Sequence, residues 1–332
     1  MSQTTLLKPT AAELTIVSSR PSKAAASAPW KPYLELTRFS KPAGLLGVYF
    51  PYFVGLLYSA NTSTLPATDL AALSAIFLLD SLLLRSFGCA WNDTIDQDLD
   101  RQVERCKKRP LARGALTTGP AVATTLLLAA TRHALLHATL PARAERHALL
   151  TTALTFIYPF MKRLCDYPQL CLGLGVGWAV FLVDAAVVDG PAASATPAPA
   201  RAAAVRALFA SQALFNVTYD TVYAFQDLRD DLRAGVRSLA VRVRACARPF
   251  VLALAGAMAA ALAVAAGLGG LLRGPFVVAA GVAAVAAGRM LLRLDFGDPR
   301  SCRAFFVRAQ WAVSGVLVVG LAGELVLARW GV

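Results

Sequence analysis

The chain has 332 residues, 57% of them hydrophobic, with six cysteines and a formal net charge of +13. Its mean hydropathy of +0.54 exceeds what an ordinary soluble domain shows, where about 45–50% apolar residues is usual, and argues against a water-soluble globular fold. In a membrane chain the positive charge is first an orientation signal and a contact for anionic lipid, so no nucleic-acid partner is expected.

Residues 1–29 are rich in Ser, Thr and Ala and lack the apolar core of a secretory signal. They read as a disordered cytosolic tail. Residues 30–332 read as one all-α domain, a polytopic membrane bundle of about nine transmembrane helices. It opens on an amphipathic interfacial helix, Trp30 to Ser40, with Tyr33, Leu34, Leu36 and Phe39 among charges. The spans expected next are Lys41 to Ala60, Leu70 to Ala90, Pro120 to Leu140, Leu149 to Met161 and Pro168 to Val188. Then come Ala203 to Ala224, Phe250 to Leu272, Phe276 to Leu292 and Phe305 to Leu327. The third is the most polar, with Arg132, His133 and His137. Basic residues concentrate after the even-numbered spans, so the positive-inside rule puts the N-terminus and those loops in the cytosol. The Pro/Ala-rich loop Gly190 to Ala200 then lies on the other side. The cysteines show no CxxC spacing, and reduced thiols are expected.

The second span runs into Asn92-Asp93-Thr94-Ile95-Asp96-Gln97-Asp98-Leu99-Asp100. At about 100° per residue, Asp93, Asp96 and Asp100 share one helical face beside Asn92, while Asp98 points elsewhere. The sixth span runs into a second acidic stretch, where Asp220, Asp227 and Asp231 share a face and Tyr223 lies close to Asp220. The plain reading of either stretch is a solvated acidic helix end. Two such stretches separated by an even number of spans emerge on one side, each followed by basic residues, and so can face one cavity. Carboxylates for Mg²⁺, with cations for the oxygens the metal leaves free, describe a diphosphate site. His133, His137 and His147 stand apart from the acids and read as structural. Asp80 and Asp184, inside apolar spans, read as pathway residues or as hydrogen-bonded partners within the bundle.

Four blocks carry a wider likeness. Asn92, Asp93, Asp96 and Asp100 form NDxxDxxxD, preceded by Arg85, Gly88 and Cys89. Arg105 to Gly114 holds a basic RPLxxG element. Tyr158-Pro159-Phe160-Met161-Lys162-Arg163 is the third block. Tyr219-Asp220-Thr221-Val222-Tyr223-Ala224, with Gln226-Asp227 and Asp230-Asp231, is the fourth. Together they resemble the UbiA superfamily of intramembrane prenyltransferases, the 4-hydroxybenzoate polyprenyltransferase branch and its fungal meroterpenoid relatives above all. The likeness runs from Arg38 to about Phe306 and departs from the family at Gly175 to Trp178 and around Arg308 and Gln310.

The resemblance implies a UbiA-type helical bundle and Mg²⁺-dependent transfer of a prenyl group, farnesyl for choice, from an isoprenoid diphosphate to the ring of a phenolic acid. It implies Asp93, Asp96, Asp227 and Asp231, supported by Asn92, Asp100 and Asp220, as the holders of a pair of Mg²⁺ ions. Lys107 and Arg109, with Asn92, would hold the diphosphate. Lys107, Arg109, Lys162 and Arg163 would stabilise charge as it leaves. Arg85 would orient an acceptor carboxylate or pair with a motif aspartate. Tyr223 or a motif aspartate would take the ring proton. Phe50, Tyr52, Phe215 and Tyr223 would line an apolar tunnel or simply pack. An integral, multi-pass protein of an endoplasmic-reticulum-type membrane, its active site facing the cytosol, is expected in preference to one of the mitochondrial inner membrane. The alternatives are a mitochondrial 4-hydroxybenzoate polyprenyltransferase of ubiquinone biosynthesis, a membrane terpene cyclase of the same fold and a cation-binding transporter. A transporter should show broken helices near mid-membrane.

Overall fold

The computed structural model describes residues 28–39, 41–190, 198–272 and 274–330. The predicted tail up to residue 27 and most of the predicted Gly190 to Ala200 loop lie outside them. Among the described residues the secondary structure is all helical. A short helix α1 (Lys31–Leu36) is followed by α2 (Pro42–Asn61), α3 (Ala67–Ile95), the single turn α4 (Gln97–Asp100), α5 (Thr118–Thr139) and α6 (Ala142–Leu164). Then come α7 (Pro168–Gly177), α8 (Ala179–Val188), α9 (Ala198–Ala224), α10 (Leu228–Ala234) and α11 (Leu239–Val243). The chain ends in α12 (Ala247–Leu268), α13 (Pro275–Leu292), α14 (Pro299–Ala309), a π-helical turn Gln310–Gly315 and α15 (Val316–Trp330).

With α7 and α8 taken as one rod, and α14 to α15 as another, nine long rods stand where nine spans are expected among the described residues. Six of the described helical segments are long and apolar enough to cross a membrane: Ala43–Asn61, Ala67–Ile95, Pro168–Val188, Ala247–Leu268, Pro275–Leu292 and Pro299–Ala328. The helices α5, α6 and α9 are long enough but carry ionisable side chains. Part of that charge is neutralised inside the bundle. Arg132 of α5, fully buried, donates through Nε to Asp80 Oδ1 of α3 at 2.6 Å and also reaches Thr151 and Thr152 of α6. Arg201 of α9 donates to Asp184 of α8 at 2.8 Å and to the Thr62 carbonyl at 3.2 Å. Asp80 and Asp184 are therefore partners in ion pairs, and burying a charge without such a partner is costly. The histidines make local contacts: His133 with Thr152, His137 with Glu145, and His147 accepting from Trp178.

Successive rods pack on one another and α15 returns to α2, so they close into a ring. Small residues allow the closest approaches. A Cβ on Gly173 would lie 2.5 Å from Val217 Cγ2, and one on Gly177 would lie 3.0 Å from the Ala213 nitrogen, both on α9. Such a small-xxx-small stripe lets two helix backbones meet where lipid offers no hydrophobic drive. The fifth rod also packs on α2, extensively through α8 and scarcely through α7. The fifth rod and α2 are thus in contact at the α8 end and parted at the α7 end, which is the end of the acidic motifs. Leu79, Leu127, Val278, Val285 and Val319 are exposed on the outer surface, an apolar surface suited to lipid.

Candidate active site

Neither acidic stretch is one continuous helix. Helix α3 stops at Ile95, Asp96 turns with φ −91° and ψ 7°, and α4 carries Asp100. The kink replaces the expected single face, yet it still gathers the triad: Asp93, Asp96 and Asp100 are 1%, 1% and 5% exposed. Asp98 is exposed, as its register predicts, and binds Arg163 at 2.5 Å. In the second stretch α9 ends at Ala224, a 3₁₀ turn holds Phe225–Asp227, and α10 carries Asp231. Gly235, at φ +69°, ends α10 in the left-handed conformation that glycine adopts without strain. Asp220, Asp227 and Asp231 are half-buried.

Cations stand among these carboxylates. Arg109 donates to Asp93 at 3.0 Å and to Asp100 at 2.7 Å. Lys162, near the end of α6, donates to Asp96 at 2.5 Å and reaches Asn92 Oδ1 at 3.4 Å. Arg38, in the turn after α1, donates to Asp93 at 2.6 Å. Arg105 forks onto Asp227 at 2.5–3.1 Å. The backbone of Glu104 also donates to Asp230 at 3.1 Å. The loop after the first motif is thereby tied to the second motif, and both lie at one end of the ring. Buried Val103, Cys106 and Leu111 pin that loop, which orders the arginines above it.

Other predicted residues fall elsewhere. Lys107 is half-exposed and pairs with its neighbour Glu104, so it meets no motif carboxylate. Arg163 meets only Asp98 and the Ile95 carbonyl, outside the cluster. Arg85 pairs with no aspartate: its guanidinium donates to the carbonyls of Arg38 at 2.9 Å and Lys41 at 2.8 Å. Tyr223 is half-buried, 4.7 Å from the Phe306 ring, with the Arg105 guanidinium 5.5 Å from its centroid. Phe50, Tyr52 and Phe215 are buried in packing. Sequence reasoning left Arg38 and Arg105 out of the site. For Arg105 a signal exists in its place four residues before Arg109: both bind motif carboxylates, whereas Lys107 pairs with Glu104. For Arg38 there was none.

Burial pushes the Asp100 carboxyl up against the pull of Arg109. Burial, then the neighbouring Asp227 charge, pushes Asp231 up to about 7, with Lys162 and Arg105 opposing. Hydrogen bonds from Arg163 hold Asp98 below the usual carboxylate range. With cations between them, no three acidic, His or Cys side chains among the described residues converge as a ready-made metal cage. The donor set nonetheless fits a hard divalent ion. Asp96 Oδ1 is buried and accepts no hydrogen bond. The carboxylates of Asp220 and Asp231 have no hydrogen-bond or ion-pair partner among the described residues. Oxygen-only donors of this kind are what Mg²⁺ takes.

Residues 48–314 match the UbiA prenyltransferase family. Prenyltransferase stbC of Stachybotrys bisbyi is 40% identical over 215 residues, 64% of this chain and 63% of that protein. DMOA farnesyltransferase nvfB of Aspergillus novofumigatus is 40% identical over 215 residues, 64% of this chain and 65% of that protein. The chain therefore spans less than two thirds of the length of these curated relatives. The mitochondrial 4-hydroxybenzoate polyprenyltransferase of Schizosaccharomyces pombe is 35% identical over 283 residues, 84% of this chain and 76% of that protein. Among solved structures, an apo UbiA homolog from Aeropyrum pernix K1 superposes with a TM-score of 0.65 at 23% identity, covering 86% of this chain and 97% of its own. An Archaeoglobus fulgidus homolog bound to DMAPP and Mg²⁺ gives 0.62 at 14% identity, covering 89% and 99%. At those identities the structures speak for the fold alone. A helical ring with an apolar outer surface, a family match over most of its length and neighbours of the same fold make this chain an integral membrane protein that belongs to the UbiA prenyltransferase family.

Proposed function

We propose that this chain is a Mg²⁺-dependent aromatic prenyltransferase, moving a prenyl group, farnesyl for choice, from an isoprenoid diphosphate to the ring of a phenolic acid. The reading places it in fungal meroterpenoid synthesis, at the cytosolic face of an endoplasmic-reticulum-type membrane. One observation carries it. At the end of the ring where α2 and α7 part, carboxylates of two separate motifs share a single cluster with Arg38, Arg105, Arg109 and Lys162. The relatives named farnesyltransferase and 4-hydroxybenzoate polyprenyltransferase support the reaction class.

Asp93, Asp96, Asp100, Asp220, Asp227 and Asp231 would hold the metal, with Asn92 beside them. Bound there, Mg²⁺ supplies positive charge to diphosphate oxygens. Arg105, Arg109 and Lys162 bind the remaining oxygens, since charge-assisted bonds suit phosphate as well as carboxylate. As the carbon–oxygen bond ionises, these fixed cations meet the growing charge on the leaving group. Tyr223 and Phe306 offer aromatic faces to the allylic cation. Helix contact at the α8 end keeps water from that side. The ring carbon attacks the cation, and its proton passes to a motif carboxylate, directly or relayed through the Tyr223 hydroxyl. Lys107 and Arg163 are given no part in this scheme, since Lys107 pairs with Glu104 and Arg163 with Asp98 rather than with the clustered carboxylates.

The test is product mass spectrometry after incubating membranes with prenyl diphosphates of graded length, phenolic acids and Mg²⁺. Prenylated phenol is expected, lost on adding EDTA and in Asp93→Ala and Asp227→Ala. Turnover surviving EDTA would overturn the metal assignment. Prenyl hydrocarbon formed without any phenol would favour a cyclase. A second reading, 4-hydroxybenzoate polyprenylation in mitochondria, draws on the longer match to the Schizosaccharomyces pombe enzyme. Preference for 4-hydroxybenzoate and a long polyprenyl donor would establish it instead.

A further inference from the structure

The turn between α1 and α2 is held in an unusual way. Arg38 has φ +52°, the left-handed region that a residue with a Cβ seldom enters, and it is the only such non-glycine residue among those described. Its carbonyl and that of Lys41 both accept from Arg85 of α3, at 2.9 and 2.8 Å. Arg85 is 8% exposed and has no acidic partner among the described residues. A buried cation that meets only carbonyls is an expensive way to fasten a loop. A planar fork is the group that can bridge two carbonyls, which an ammonium matches poorly. Gly44, in the first turn of α2, makes the space. A Cβ there would come within 2.7 Å of Arg85 Nη2 and 2.8 Å of Nε. The helix before the turn is anchored as well: Leu36 is fully buried against Ala90, Leu111 and Ala121, and Glu35 pairs with Arg113 at 2.6 Å. At the end of this chain of contacts the Arg38 guanidinium lies on Asp93 at 2.6 Å.

We propose that Arg85 is a positioning residue. By binding the carbonyls of Arg38 and Lys41 it fixes the left-handed turn that delivers the Arg38 guanidinium to the carboxylate cluster, so that this strap forms one wall of the diphosphate site. Arg38 then offers the cluster a further cation, placed by backbone geometry rather than by a helix. The inference rests on the diphosphate reading above for what Arg38 binds, and on the turn alone for what Arg85 does. Backbone strain maintained beside a charged cluster is the pattern expected where pre-organisation serves a site.

Two measurements on the full-length protein in detergent separate the two parts. The first is hydrogen–deuterium exchange of the peptide spanning the turn. Arg85→Gln and Gly44→Ala should each speed it about tenfold, because either removes the fork from the carbonyls, while Arg38→Gln should leave it slow. Gly44→Ala leaves the arginine in the chain, so it serves if Arg85→Gln fails to fold. The second is the affinity of a non-hydrolysable prenyl thiodiphosphate. Each of the three single variants should weaken it about tenfold, and Arg38→Gln combined with Arg85→Gln should be no weaker than Arg38→Gln alone, because one acts through the other. Unchanged exchange in both Arg85→Gln and Gly44→Ala, or fully additive losses in the double variant, would overturn the proposal. Failure of the parent protein to bind the thiodiphosphate, with the exchange pattern as expected, would sink the diphosphate reading and leave the positioning role supported.

Discussion

Asp93 and Asp98 belong to one short acidic run, and the fold gives them opposite tasks. Asp93 is buried between Arg38 and Arg109, while Asp98 is exposed on Arg163. Alanine at 93 should abolish prenyl transfer, and alanine at 98 should leave turnover within about twofold, since exposed ion pairs contribute little. Product formation in membranes checks both, and comparable losses would undo the separation of the two faces. A parallel contrast holds among the cations. Arg105→Gln should cost about a hundredfold in turnover, the scale of one stabilising contact to a leaving group, and Lys107→Gln almost nothing. Asp231 allows a test by pH. Its carboxyl in the folded chain titrates near 7, above the ordinary 3.8, so its contribution to stability is fully present below the ordinary value and is lost as pH rises through about 7. In metal-free buffer Asp231→Asn should therefore melt a few degrees above the parent at pH 8, with the gap closing toward pH 4. A gap that widened on acidification would contradict the burial that sets this value. The aspartates were legible in the sequence because their spacing survives the kinks at Asp96 and in the 225–227 turn. Arg38 was not, because a left-handed turn and a distant arginine decide where it points.

The helical elements were legible and the way some of them tolerate charge was not. Hydrophobic runs locate each rod but clip the ends where polar residues continue the helix, as at Ala142, where α6 begins well before the expected Leu149. Arg132 makes α5 read as a poor membrane helix unless its partner Asp80 on α3 is in view. Pairing across helices leaves no periodic trace in either one. Removing one member should be far worse than removing both. Asp80→Ala should destabilise the protein by about 3 kcal/mol, whereas Asp80→Leu with Arg132→Met should come close to the parent. Thermal unfolding in detergent reads this, and equal losses in the two variants would mean that the pair contributes through shape alone. The stripe of Gly173 and Gly177 admits a similar test. Valine at 173 would drive a side chain into Val217 and the Ala213 carbonyl, and overpacking of that kind costs about 1–3 kcal/mol.

At the scale of the whole molecule, the fifth rod meets α2 through α8 and scarcely through α7, and the charge asymmetry predicts which end of the ring faces the cytosol. Glycosylation acceptors inserted after Arg101 should stay unmodified while one placed after Gly190 is modified, and the reverse pattern would invert the topology. The cluster at the parted end has a thermodynamic consequence. Asp93, Asp96, Asp100 and Asp227 each already have a basic partner, so the protein supplies its own counter-ions. Magnesium arriving alone finds Asp220, Asp231 and Asp96 Oδ1 without hydrogen-bond or ion-pair partners among the described residues. To reach the paired carboxylates, however, it must displace an arginine or lysine and leave it unmatched, and a diphosphate arriving alone must strand a carboxylate. Arriving together they re-pair every charge. Metal and prenyl diphosphate should thus raise each other's affinity by the same factor, about tenfold or more, as any coupled pair must. Calorimetric titration of each in the presence and absence of the other would measure that factor, and independent binding would mean that the two do not share these side chains.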